Sequence, residues 1–113
     1  MRFDLELVRK LLEAIEARGP APDWHDLEVP GYAAAVVSEH VRLLAEGGLI
    51  QATDLSSKDG ESWKPRRLLL EGHQVLRWMR TPHTWERLRS EAGSLASLGA
   101  AEAVRRFVAV VIE

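Results

Sequence analysis

"SEHVRLLAEGGLIQATDL", residues 38–55, decides the fold. Its first half is helical in pattern. Val37, Val41 and Leu44 share one face at helical spacing, with His40 and Ala45 beside them. Gly47 and Gly48 follow, and one of them supplies the left-handed turn that glycine adopts cheaply at a helix end. Leu49 and Ile50 then open a strand over 49–55. A helix over 33–46 that runs through glycine into a strand asks for a hairpin partner. Asp59-Gly60 is a turn signal, and "WKPRRLLL" returns as that partner. Pro65 has no N–H to donate, so this strand lies at an edge or is bulged near the proline.

Upstream, Asp4 caps a first helix with Leu5, Val8, Leu11, Leu12 and Ile15 on one face, ended by Gly19-Pro20. "GPAPDWHD" is a loop rich in breakers, and "LEV", 27–29, reads as a short strand. Downstream, 71–80 is a third helix with Val75, Leu76 and Met79 inward. Thr81 and Pro82 cap and open a short helix holding Trp85 and Leu88, which ends near Gly93. A last helix covers about 98–112. The expected fold is mainly α with a small β-hairpin sheet. Its order α-β-α-β-β-α makes a winged-helix-like domain over 1–92, with a C-terminal helical extension over 93–113 as an interface element.

The chain of 113 residues suits one modest core. Its 46% apolar and 28% charged residues are those of an ordinary globular protein. A formal net charge of −2 argues against an indiscriminate nucleic-acid binder but leaves room for a local basic patch. Without cysteine there are no disulfides, thiolate metal sites or cysteine nucleophiles. The N-terminal stretch is charged throughout, unlike a signal peptide, and the longest fully apolar run is 107–112. The expectation is a cytoplasmic protein with no membrane contact.

"EHVRLLAEGGLIQATDLSSKDGESWKPRRLLLEGHQVLRWMR", 39–80, carries a further signal in Gly31-Tyr32, His40-Val41, Leu43-Leu44 and Gly48-Leu49-Ile50. The pattern continues through Asp59-Gly60, Trp63, Pro65, Arg67-Leu68, Glu71-Gly72-His73 and Trp85. Over most of 4–88 the chain resembles a phage- and prophage-borne family of small proteins classed only as a domain of unknown function. The resemblance implies a winged helix-turn-helix-like core and brings no activity with it. Such folds often place Ser or Thr before the helix that follows the wing. Here Leu69 and Leu70 stand there, and the missing cap costs about 1 kcal/mol.

Reading DNA through a helix-turn-helix takes two helices, one bracing and one in the major groove. Between Val29 and Leu49 lie nineteen residues, and the helix over 33–46 uses most of them. The bracing helix is therefore truncated or replaced by "LEVPGY". The outward groups of the reader, Ala33, Ala34, Ala35, Ser38, Glu39 and Arg42, include one strong base-edge donor, Arg42. A solvated face with Arg42 in a local ion pair accounts for them as well. The wing is richer, with Lys58, Lys64, Arg66 and Arg67 against Asp59 and Glu61, and Lys64 and Arg66 are set to share a face. Edge-strand cations also guard against edge pairing. The candidate DNA contacts are thus Arg42, Lys58, Lys64, Arg66 and Arg67, with double-stranded DNA as the expected partner. The alternative is a protein-interaction module on the same scaffold.

His25, His40, His73 and His83 show no ligand spacing, so no metal or cofactor is expected. "HDLE" has no nucleophile beside it, "DLSSKDGES" lacks calcium-loop spacing, and no enzyme activity is expected. His40 fits a place beside the core with one ring nitrogen on the backbone. Trp63 and Trp85 fit core lids, and Trp78 falls off the inward stripe. The tail, 107–112, is apolar all round. Val104, Phe107, Val108, Val111 and Ile112 are therefore the candidate face of a homodimer.

Overall fold

The computed structural model describes residues 2–112. Its elements run α1 (Leu5–Arg18), α2 (Ala34–Glu46), β1 (Ile50–Asp54), β2 (Trp63–Leu68), α3 (Leu70–Met79), α4 (Pro82–Ser90), α5 (Ala92–Ser97) and α6 (Ala100–Ile112). The chain is mainly helical, with one two-stranded antiparallel sheet.

Asp4 caps α1, its carboxylate accepting the Leu7 N–H at 3.1 Å. The Asp4 N–H donates in turn to His40 Nε2 of α2 at 3.0 Å. His40 is fully buried, and its Nδ1 lies 2.9 Å from the Val36 carbonyl. A ring nitrogen that accepts at Nε2 carries its proton on Nδ1, so the imidazole is neutral and bridges the starts of two helices. The expected single backbone bond is in fact two.

Helix α2 ends as its glycines require. Gly48 takes φ 79°, and the Leu49 N–H reaches back to the Leu44 carbonyl at 3.0 Å. The hairpin pairs Gln51 with Arg67 but Ala52 with Pro65. Arg66 is therefore the extra residue of a bulge beside the proline, where the ladder lacks a donor anyway. Gly72, in the first turn of α3, lies against β1: a Cβ there would sit 2.0 Å from the Leu49 carbonyl oxygen. Leu69 stands at the α3 N-cap without a side-chain bond, as the missing Ser or Thr implies.

One core cluster takes side chains from α1 to α6. In α6, Val104, Phe107 and Val111 lie inside it, and the Phe107 ring is 5.8 Å from that of Phe3. Their expected role on a dimer face is corrected accordingly, because a side chain enclosed in its own chain's core offers no surface. Val108 is half-buried against the same cluster, and Ile112 is 67% exposed. The radius of gyration, 13.3 Å, is close to the ~13 Å of a compact chain this long, so α6 is no projecting arm.

Two other expectations change. Residues 27–29 form no strand, although Leu27 and Val29 are buried. The segment after the short α4 is a separate helix, α5, anchored by Leu95. No helix lies between α1 and α2, so the bracing helix is absent rather than shortened.

Candidate functional site

The loop between α1 and α2 lies along the hairpin. The Ala21 N–H donates to the Arg66 carbonyl at 3.1 Å and the His25 N–H to the Pro65 carbonyl at 2.7 Å. Thr53 Oγ1 donates to the Asp23 carbonyl at 2.9 Å, and Arg18 Nη1 to the Asp26 carbonyl at 3.1 Å. Prolines at 20 and 22 favour the extended backbone such a strap needs. Main-chain groups of β2 that would otherwise face water are thus satisfied by residues outside any strand.

This strap takes up the cations expected on the wing. Lys64 Nζ pairs with Asp26 at 3.1 Å, and Arg66 Nη2 donates to the Pro22 carbonyl at 2.5 Å. The bulge breaks the simple alternation of β2, yet both side chains reach the same loop. Arg67 Nε donates to Gln51 Oε1 at 3.0 Å. Lys58, in the turn closed by Ser57 and Gly60, has no ion pair among the described residues.

Arg42 sits in an acidic nest. It bonds Glu39, and it pairs with Glu46 at 3.7 Å and Glu61 at 3.8 Å. The Glu39 bond holds its guanidinium above the usual arginine value, against the opposing effect of burial, and the carboxylate charges add to it. Its Nε is buried with no hydrogen bond, so the 3.8 Å approach of Glu61 is a charge contact. Ala33 at the N-cap of the same helix and Ala34 and Ala35 in its first turn are exposed and offer no base-reading group. Four of the five expected DNA contacts are therefore engaged within the chain.

Between residues 26–32, the first half of α2 and the start of β2 lies a cleft of about 730 Å³. Leu27, Val29, Val37, Val41 and Trp63 supply its apolar lining, and Asp26, Glu28 and Glu61 its carboxylates. The Trp63 N–H donates to Ser38 Oγ at 2.8 Å, which fixes β2 against α2 at the cleft wall. Tyr32, at one end, has its phenol pushed above the ordinary value by burial and by the nearby Asp4 carboxylate. Sequence patterning did not find this cleft, because its walls come from segments far apart in the chain. The clue it held was the cluster of acids around 23–28 opposite a basic strand.

Among the described residues, no three His, Asp or Glu side chains gather as metal ligands. None of the described helices is long and apolar enough to cross a membrane.

Residues 2–98 match a family described as "Hypothetical protein (DUF2513)". An uncharacterized protein of Haemophilus influenzae (strain Rd) is 28% identical over 117 residues, covering 99% of this chain and 96% of its own. No solved structure matches.

Proposed function

Because this chain belongs to DUF2513, a family described as hypothetical, we propose from its geometry that it is a protein-interaction module on a winged-helix-like scaffold without a DNA-reading helix. The observation that carries this reading is the internal engagement of Arg42, Lys64, Arg66 and Arg67. Arg42 and Lys64 already face carboxylates, and a cation so paired gains less on meeting a phosphate, where counterion release drives most duplex affinity. Arg66 and Arg67 keep their charge, but their side chains are tied to the Pro22 carbonyl and to Gln51. The exposed alanines at the start of α2 support the same conclusion. The cleft beside them is the surface such a module would use. A prophage-linked setting is part of the proposal, resting on the sequence resemblance.

The test is a tagged pull-down from the native host, split into nuclease-treated and untreated halves. Protein partners retained equally in both halves are the expected result. Partners lost on nuclease treatment would overturn the reading.

A second reading, weak duplex binding that regulates transcription, is favoured by one observation: Lys58 and Arg67 are exposed on the hairpin, and Lys58 has no described ion pair. It requires duplex binding at about 150 mM salt. That binding must fall when Lys58 and Arg67 become Glu.

A further inference from the structure

Resting on the protein-interaction reading, we propose that the cleft receives an extended segment of a partner protein that carries Lys or Arg beside apolar side chains. Charge complementarity selects this occupant. Asp26, Glu28 and Glu61 line the cleft against one cation, Lys64. Three carboxylates against one cation leave an excess of two negative charges in the lining. Glu39 and Glu46 share Arg42 with Glu61. Glu28 is exposed and has no ion partner among the described residues. Glu61 shares its one described cation with two other acids. An incoming ammonium or guanidinium relieves that repulsion, and a phosphate or an acidic peptide worsens it.

The lining supplies the other half of the recognition. The accessible apolar surface comes from exposed Ala34 and Ala35 of α2, from Pro30 and half-buried Tyr32 before it, and from half-buried Trp63 of β2, over a floor of core side chains. A half-buried tryptophan offers both apolar area and a ring face to a cation. The volume, about 730 Å³, lies within the range of roughly 300–1,000 Å³ typical of ligand pockets. The walls are held in place: Ser38 binds the Trp63 N–H, and Lys64 ties the loop to the strand. A preformed cleft needs little ordering when its ligand arrives.

The experiment uses fluorescein-labelled synthetic peptides and the full chain at about 150 mM salt. One peptide alternates Lys or Arg with Leu and Val. A second replaces every cation with Glu, and a third replaces every apolar residue with Ser. The first is expected to bind and both others to bind roughly tenfold more weakly or worse. Glu28→Lys together with Glu61→Lys lowers the affinity of the first peptide by a similar factor. Both positions are exposed, and far-UV circular dichroism confirms that the variant is folded. Equal binding of the Glu-bearing peptide overturns the proposal. So does insensitivity to the double charge reversal, or competition by spermidine as strong as by the first peptide.

A random-peptide selection separates this proposal from the reading it rests on. Selected acidic or uncharged peptides that shift the amide resonances of Ala35, Val37 and Ser62 sink the cationic occupant and leave the interaction module standing. If no peptide shifts those resonances while duplex DNA shifts those of the hairpin turn, both fall.

Discussion

At the scale of single residues, the structure is decided by groups with almost no freedom to change. Gly72 is required because the Leu49 carbonyl occupies the place a Cβ would need. The neighbour is main chain, so a shift of one side chain cannot make room. Gly72→Ala is expected to cost about 1–3 kcal/mol, read as a lowered urea midpoint at unchanged slope. Tyr32 gives a second prediction. It is the only tyrosine in the chain, so phenolate absorbance reports it alone. Burial and Asp4 raise its pKa, so it titrates above the ordinary value of about 10. The neutral phenol is the form the fold favours. Its contribution to stability is therefore complete below the unfolded value and is lost as pH rises through the folded one. Asp4→Asn should bring the titration back toward that of a free phenol, and an unchanged curve would count against the assigned cause.

At the scale of elements, α2 and the hairpin were legible because the signals were local. The Val37–Val41–Leu44 stripe, Gly48 and the proline-linked bulge each act within a few residues of themselves. The ion pairs of Arg42 with Glu39 and Glu46 were legible for the same reason, being one helical turn apart. The strap was not. Its bonds run from main-chain N–H groups at 21 and 25 to carbonyls at 65 and 66, and a main-chain partner leaves no side-chain pattern to read. Helix α5 escaped because "AGSLAS" has one buried residue and no stripe. A stability prediction also belongs here. The N-cap of α2 is Ala33, which makes no side-chain bond. The Val36 N–H already donates to the Ala33 carbonyl, so Ala33→Ser supplies an acceptor for the Ala35 N–H and should stabilise the protein by up to about 1 kcal/mol. A thermal midpoint that stays put or falls would show that the first turn is already satisfied.

At the scale of the whole molecule, the tail taught the opposite lesson to α2. A helix apolar all round suggested a partner chain, yet α6 packs against α2, α3, α4 and α5 within one chain. Its ring of neighbours is long-range and invisible to periodicity. The consequence is measurable. Phe107→Ala should lower stability by about 3–5 kcal/mol, because it opens a cavity beside Phe3. The molecular mass in light scattering should be unaltered at permissive temperature. A variant as stable as the parent but changed in oligomeric state would restore the interface role of that residue.

The strap across the hairpin also bears on motion. Hydrogen exchange tracks the unit in which a bonded amide opens rather than the regularity of its backbone. Ala21 and His25 belong to no helix or strand, but their N–H groups are held by carbonyls of β2. They should exchange at the pace of the hairpin amides, far more slowly than neighbouring loop amides such as that of Trp24. The loop and sheet then open and close as one cooperative piece, with one wall of the cleft moving along with them.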